Sequence, residues 1–293
     1  MRRVEGRLEE IKKDVFGVIW AEDDSVYSGF GANQGFVILE DSVLLYDSGM
    51  SVRHARILDK SVKKVTDKKI RYLVNSHDHS DHVFGNSYFL DRYSKSGINT
   101  ISHFFCADQI RRLGKNRMRG YKRIPDLRDE LESLRIVPPA ITYSDLGFTV
   151  EIEGTEFVLT HPRMGAHTLG DTYLSIPVSG VLFAGDIMWN KFLPNLEDAN
   201  LEGWIETLED LDLRTYSRCL PGHGEACGAS EVSTFLQYLQ SVKERLARIE
   251  KQGSELDLEK QRSCFEIPGS EDWLLRSIIE YNVNALFHSG IRS

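Results

Sequence analysis

Metal-capable side chains are concentrated in one short stretch of the sequence, NSHDHSDHVFGN at residues 75–86. Within it, the six positions from His77 to His82 hold three histidines and two aspartates. Alternate positions of an extended loop point the same way, so His77 and His79 are expected to converge on one metal ion. Asp81 and His82 would begin the next helix and face a second ion. Imidazole and carboxylate ligands in a small open shell suit Zn²⁺, with Fe or Mn as alternatives.

Other histidines repeat this placement. Five of the nine histidines directly follow predicted strands, with two aspartates among them, and these seven residues are His77, His79, His82, His167, His223, Asp81 and Asp186. Ligand sites of α/β sheets lie at the carboxyl ends of strands, so this pattern predicts one shared site. Three of the other four histidines, at positions 54, 103 and 288, have no partner at ligand spacing and are interpreted as structural.

The elements that would hold this site begin with a βαβ unit. Residues 35–49 show two apolar runs around a polar turn, which predicts a hairpin. Helical spacing follows in SVRHARILDKSVKKV, and residues 70–75 predict a short buried strand. The histidine cluster therefore begins where a predicted strand ends.

The rest of the chain predicts a second half of similar design. Residues 101–145 have a helical pattern, 148–161 a hairpin and 172–186 two further strands. The segment LEGWIETLEDLDL predicts an amphipathic helix, and SRCLPGHGE predicts a strand that ends near His223. Two more helices are expected, one from Ser230 as N-cap to Gly253 and one from Ser270 through Phe287.

Five separated motifs together resemble the metallo-β-lactamase superfamily, over about residues 15 to 228. They are LLYDSG with Asp47, HDHSDH, AHTLGD around His167, FAGD ending in Asp186 and PGHG around His223. The resemblance implies an α/β fold (α+β in some schemes), a four-layer αββα sandwich. It implies a domain over residues 1–229 with a helical insertion at about 104–136, and a C-terminal helical extension, 230–293, packed on the same domain.

The resemblance also implies a ligand set. His77, His79 and His167 would hold one metal, Asp81, His82 and His223 the other, and Asp186 would bridge them. Two divalent ions are implied, Zn²⁺ first, with Fe or Mn possible. Asp47 would be a hydrogen-bond acceptor that steadies the histidine loop rather than a ligand.

This set of ligands leaves the centre positive, which favours an anionic substrate or a developing oxyanion. A metal lowers the pKa of bound water to about 7, so a bridging hydroxide would be available at neutral pH. We expect it to attack the carbonyl of a small anionic ester, lactone, thioester or amide. Asp81 is the expected catalytic residue, because it would orient the nucleophile and accept its proton.

Three alternatives stay open. Persulfide dioxygenases, which use one iron, share much of the ligand set, although the motifs are most similar to quinoprotein-relay-type zinc hydrolases. A phosphodiesterase or nuclease is the second alternative, because RRLGKNRMRGYKR at 111–123 has seven Lys or Arg in thirteen residues. We interpret this stretch as a solvated helix and do not expect nucleic acid as a partner. The third alternative is a metal-binding module without catalysis.

Side chains near the motifs could contact substrate. Trp189 and Phe192 follow Asp186 on a predicted loop and are expected to form a substrate wall, and His161 could reach the same cleft. The net charge of −8 argues against diffuse binding of phosphate backbones. The first twenty residues lack a secretion signal, no apolar run could span a bilayer, and the four cysteines lack paired spacing. These features predict a cytoplasmic protein.

Overall fold

The computed structural model describes residues 6–20, 31–211, 215–250 and 258–288. Within these ranges the strands form two sheets. The first sheet has seven strands in chain order: β1 (Arg7–Lys12), β2 (Val15–Ile19), β3 (Gln34–Ile38), β4 (Ser42–Tyr46), β5 (Lys69–Val74), β6 (Asn99–His103) and β7 (Ile141–Tyr143). The second has five strands in the order β12-β11-β10-β9-β8: β8 (Gly147–Ile152), β9 (Thr155–Thr160), β10 (Tyr173–Ile176), β11 (Val181–Trp189) and β12 (Arg218–His223).

Helices cover the outer face of each sheet. They are α1 (Val52–Val65), α2 (Ser80–Val83), α3 (Asn86–Arg92), α4 (Phe104–Tyr121), α5 (Pro125–Leu131), α6 (Leu201–Asp210), α7 (Ala229–Glu250), α8 (Leu258–Ser263) and α9 (Ile278–Val283). A short 3-10 turn (Pro177–Ser179) and a π-helical turn (Asn284–His288) complete the described elements. None of the helices in the described ranges combines the length and apolar character needed to cross a bilayer.

Strand alternation builds the layers. In β4, Leu44 and Tyr46 face the core between the two sheets, while Val43 and Leu45 face the helices outside. In β11, Phe183 joins the core between the sheets, and Leu182 packs outward against the other helical layer. Because successive side chains of a strand point to opposite faces, a strand buried on both faces reads as a continuous apolar run. The result is the expected αββα sandwich.

Parallel pairing brings the ligand-bearing ends of strands together. β4 pairs in parallel with β5, as the predicted βαβ unit requires, and β11 pairs in parallel with β12. The polypeptide after β4 and β5, and the final residues of β11 and β12, therefore meet at one edge of the sandwich. All the candidate ligand motifs except the His167 loop come from these four strands.

Two predicted helical segments have the wrong bounds, and the predicted N-cap Ser230 lies inside α7, which begins at Ala229. The segment 101–145 is helical only in its middle, because its ends pair as β6 and β7 at the edge of the first sheet. The last helix begins at Ile278 rather than near Ser270. The backbone of Leu274 pairs with Phe192, and Leu275 has a left-handed backbone (φ 62°), so residues 273–275 cannot continue a helix. The predicted end at Gly253 lies outside the described residues.

The C-terminal segment, residues 258–288, is hydrogen-bonded to the loop that follows β11. We call residues 190–198 the wall loop. The Leu193 N–H donates to the Leu274 carbonyl (3.0 Å). The buried Asn282 side chain accepts from the Leu196 N–H (2.8 Å) and donates to the Pro194 carbonyl (2.9 Å). The wall loop is therefore fixed by residues distant in the chain.

Asn33 joins the first sheet to the turn that carries His223. Its Nδ2 donates to the carbonyls of Pro221 (2.9 Å) and Gly224 (2.8 Å), and its Oδ1 accepts from the Trp20 N–H (3.0 Å). Asn33 is only 3% exposed, so water cannot replace these bonds.

We expect Asn33→Ala to lower the free energy of unfolding by about 2–3 kcal/mol, because it leaves buried carbonyl and N–H groups without partners. Urea denaturation measures this change. Asn99→Ala, at an exposed strand position, is the control and should stay within about 0.5 kcal/mol of wild type. Equal stabilities of the two variants would contradict the role of Asn33.

Candidate metal centre

The seven candidate ligands predicted from the sequence come together at this edge of the sandwich. They form two groups, and within each group the candidate ligand atoms lie within 4.8 Å of one another. The first contains His77, His79, His167 and Asp186, and the second contains Asp81, His82 and His223. The side chains of both groups are almost entirely buried, apart from His79 and Asp81, which are each 15% exposed.

Asp186 lies between the two groups. Its Oδ2 is 3.2 Å from His167 Nε2 and 3.8 Å from His77 Nε2, both in the first group. The same oxygen is 3.6 Å from His223 Nε2, and Oδ1 is 3.1 Å from His82 Nε2, both in the second group. One carboxylate therefore faces four imidazoles, as a bridging ligand would.

Strand irregularities place Asp186 and His223. The sequence predicted both residues just beyond strand ends, but they lie inside β11 and at the last position of β12, because Trp189 still pairs with His223. The pairing register shifts on both sides of Gly185, whose backbone is left-handed (φ 53°). A bulge of this kind redirects the following side chain, here toward the histidines.

Gly222 leaves the space that the Asp186 carboxylate occupies. A Cβ atom at position 222 would lie 1.9 Å from Asp186 Oδ1 and 2.9 Å from the Gly185 carbonyl carbon. Only glycine can therefore stand opposite the bulge without displacing the carboxylate.

The histidine loop rests on Asp47. Asp47 is fully buried, and its Oδ2 accepts hydrogen bonds from His82 Nδ1 (2.7 Å) and Ser76 Oγ (2.7 Å). Its Oδ1 accepts from the Ser76 N–H (2.8 Å). With Nδ1 of His82 bonded in this way, Nε2 is the ring atom that faces the centre.

Several buried atoms of the centre have no hydrogen-bond partner among the described residues. They include His77 Nε2, His82 Nε2 and Asp186 Oδ1. His82 Nε2 and Asp186 Oδ1 are 3.1 Å apart but are not aligned for a hydrogen bond with each other. Buried polar groups are almost always paired, so three unpaired atoms facing one space fit metal coordination. The donor set of imidazoles and carboxylates suits a divalent cation.

The pKa values of the candidate ligands depend on burial and on the charges of the neighbouring ligands. Burial lowers the pKa of His77 well below its ordinary value, and lowers that of His167 to about 3. Burial would also lower the pKa of His82 and His223, but the carboxylates, Asp186 first, raise it, to about 9 for His223. Burial would raise the pKa of Asp186, yet the surrounding imidazoles hold it well below the usual range. Cations and protons therefore compete for the same atoms.

A second network, which the sequence did not reveal, fixes His79. Its Nε2 lies 3.0 Å from Asp198 Oδ2, and its Nδ1 faces His167 Nε2 at 2.9 Å. Arg117 Nη1 donates to the carboxylate (2.6 Å) and carbonyl (3.0 Å) of Asp78, and Nη2 lies 3.6 Å from Asp198. The sequence held one signal of this network. Leu113, Arg117 and Tyr121 are spaced four residues apart on α4, which puts them on one face of the helix.

A cavity of about 640 Å³ opens above both groups of ligands. The α4 helix, the wall loop and the C-terminal segment form its sides. Trp189 lines it, stacks on His223 (ring centroids 4.1 Å apart) and ends β11 rather than starting a loop. Phe192 and His161 do not line it. Phe192 is buried beside Leu274, and the His161 ring stacks on His103 with centroids 3.6 Å apart.

The basic stretch 111–123 divides between two surfaces. Arg117 faces the cavity. Lys115, Arg119 and Lys122 line a separate surface cleft, and Lys122 pairs with Glu132 at 3.2 Å. The stretch as a whole is therefore not directed at the metal centre.

Comparisons with known proteins agree with this geometry. A family model described as the metallo-beta-lactamase superfamily matches residues 27–223. A search of curated proteins found no match. Similar solved structures include a metallo-beta-lactamase from Pontibacter korlensis, with 19% identity and a TM-score of 0.63 over 80% of this chain and 99% of that one. A metallo-beta-lactamase from Pseudomonas aeruginosa in a mono-zinc form has 18% identity and a TM-score of 0.62, over 82% and 97% of the chains.

A stereoselective inverting sec-alkylsulfatase from Pseudomonas sp. is similar over a longer part of this chain. The identity is 15% and the TM-score 0.72, and the match covers 98% of this chain but 51% of the sulfatase. The present chain therefore spans about half the length of that protein.

Replacing Asp47 tests the support beneath His82. We expect Asp47→Asn to weaken Zn²⁺ binding by about 10–100-fold, because the amide offers one acceptor oxygen instead of two, so either His82 or the Ser76 N–H loses its acceptor, and the negative charge behind His82 is lost. Competition with a chromophoric chelator measures the dissociation constant. Asp14→Asn is a matched control, since Asp14 is exposed and shares the left-handed backbone (φ 63° at both positions). Unchanged affinity of Asp47→Asn would refute the assigned role.

Replacing Gly222 tests the space beside Asp186. We expect Gly222→Ala to reduce metal affinity by at least about tenfold, because the new methyl group displaces the carboxylate. Gly120→Ala is the control, since a Cβ there meets nothing within 4 Å. Metal content by elemental analysis and affinity by chelator competition should separate the variants. Equal metal binding would show that Asp186 does not need this space.

Proposed function

The chain belongs to the metallo-β-lactamase superfamily, whose members are mostly metal-dependent hydrolases, and we propose that it is a binuclear hydrolase that cleaves a carbonyl substrate. That carbonyl would belong to an ester, lactone, thioester or amide. The position of Asp186 between two groups of candidate ligands, at the floor of a cavity, carries the proposal.

The proposed ligand set follows the two groups. His77, His79 and His167 would hold one cation, Asp81, His82 and His223 the other, and Asp186 both. Zn²⁺ is the preferred ion, with Fe or Mn as alternatives. Such cations supply a bound water with a pKa of about 7 and polarise the carbonyl under attack.

The chain's own residues have separate tasks in this proposal. Asp81 is the part-exposed carboxylate at the cavity floor, and its Oδ2 lies 3.3 Å from His223 Nε2. That position suits it to orient the attacking water and accept its proton. Asp47 and Asp198 hold His82 and His79 in orientation through the ring nitrogens that face away from the centre. The Trp189 ring, stacked on His223, keeps water from that side of the centre.

Two other chemistries remain as alternatives. Cleavage of alkyl sulfate esters has support from the sulfatase likeness, which extends over the C-terminal helices. A one-iron dioxygenase would need a single group of ligands, whereas two groups, of four and three candidate ligands, are present here. We therefore place both behind carbonyl hydrolysis.

Metal content and two ligand variants test the proposal. We expect two zinc or manganese ions per chain, loss of ester hydrolysis after chelation and its return after Zn²⁺ is added. Asp81→Ala and His167→Ala should lower turnover by about 10²–10⁴-fold with an unchanged circular dichroism spectrum. Asp145→Ala, at an exposed carboxylate, is the control.

The outcomes separate the alternatives. One iron per chain with sulfur-oxygenating activity would favour the dioxygenase. Hydrolysis restricted to alkyl sulfates would favour the sulfatase reaction. A metal-free chain with full activity, or a wild-type turnover equal to that of Asp81→Ala, would end the proposal.

A further inference from the structure

The outer half of the cavity differs in chemistry from the metal centre at its floor. Apolar and aromatic side chains from two distant parts of the chain face each other there: Leu113 and Tyr121 from α4, and Leu275, Ile278 and Tyr281 from the C-terminal segment. Leu113 and Tyr281 are 39% and 51% exposed. Apolar surface of this kind around a cavity mouth is typical of a binding site for an apolar group.

The charged groups of the outer half are mainly acidic. Arg117 is the only lysine or arginine among the described residues that line the cavity. The carboxylates of Glu197 and Asp198 line the same part. The Arg117 guanidinium is already bound to the buried Asp78 carboxylate at 2.6 Å. The one cation of the outer half is thus neutralised from beneath by Asp78, and the two carboxylates that line the outer half, Glu197 and Asp198, leave it unfavourable for an anion.

Glu197 is the carboxylate that is bound neither to His79 nor to Arg117; its side-chain partner is the neutral Tyr281 hydroxyl. Asp198 is bound to His79 and lies close to Arg117. Glu197 is exposed, contacts none of the seven candidate ligands and lies beside the Tyr281 hydroxyl. The N–H of Glu197 donates to Asn195 Oδ1 (2.9 Å), which orders the backbone of the wall loop at this point.

We propose that the outer half of the cavity is a subsite for an apolar substrate tail that is uncharged or carries a terminal cation, and that Glu197 excludes tails ending in a carboxylate. The inference rests on the proposed function, because it assumes that the reacting group lies at the metal centre. The substrate would then present electron-rich oxygen to the cations at the floor and its apolar chain to Leu113, Leu275 and Tyr281. The cations at the floor would attract a negative charge on the reacting group, whereas Glu197 would repel a negative charge at the end of the tail.

Matched metal-binding probes test the subsite without any turnover. Three hydroxamic acids share a six-carbon chain and differ only in its end: hexanohydroxamic acid, 6-aminohexanohydroxamic acid and adipic acid monohydroxamate. Their dissociation constants for the zinc-loaded protein are measured by calorimetry. We expect the methyl and ammonium probes to bind at least about tenfold more tightly than the carboxylate probe, because like charges in an interface are strongly unfavourable. Salt at 1 M should reduce this ratio.

A second experiment repeats the binding measurements on variants that change the charge at Glu197. Glu197→Lys should remove or invert the preference, and Glu197→Gln should reduce it, with metal content equal to wild type in both. Glu151→Lys changes the charge of the protein equally at an exposed position of β8 outside the cavity lining, so it should keep the wild-type preference. Equal or tighter binding of the carboxylate probe by wild type would overturn the proposal, as would failure of all three probes to bind.

Hydrolysis of 4-nitrophenyl esters with the same three tails separates the two proposals. If the probes bind in the expected order but none of the esters is cleaved, the subsite stands and carbonyl hydrolysis falls. If the esters are cleaved without preference and the probes bind equally, carbonyl hydrolysis stands and the subsite falls. If the esters are cleaved with the expected preference, both stand.

Discussion

The burial of Asp186 among four imidazoles is the constraint on which the architecture depends. A buried carboxylate is costly unless positive charge or hydrogen bonds compensate for its lost hydration. Here its Oδ1 has no hydrogen-bond partner among the described residues, although an imidazole nitrogen lies 3.1 Å away. The fold thus keeps polar atoms facing a shared space instead of pairing them. That arrangement is stable in the interior when cations supply the missing partners.

The rigid surroundings make this arrangement possible. Asp47 lies under the histidine loop, the bulge at Gly185 turns Asp186 toward it, and Asn33 fastens the turn that carries His223. These supports come from both sheets, so the relative position of the sheets sets the geometry of the centre. The close-packed core between the sheets prevents them from sliding. Stability of the sandwich and affinity for metal are therefore coupled.

Sequence reasoning predicted the fold class and a set of ligands that the structure brings together, because histidines and aspartates after strands are a local signal. It did not find Asp198 or the cavity-facing role of Arg117, since their partners lie distant in the chain. His161 was expected near the cleft, but stacking on His103 takes its ring elsewhere. The β6 and β7 strands were missed because strands of five and three residues that flank a long helical segment have little periodicity of their own. Contacts between distant segments are thus what the sequence alone conceals.

The attachment of the wall loop to Asn282 has a consequence for how the molecule is made. All seven candidate ligands precede residue 224, so the two sheets and the centre can assemble while the ribosome is still adding the C-terminal helices. The wall loop gains its hydrogen bonds to Asn282 only after that residue has left the exit tunnel. The ligand groups and the α4 side of the cavity can thus form before the wall loop is fixed, so the opposite side of the cavity is completed later than the centre itself.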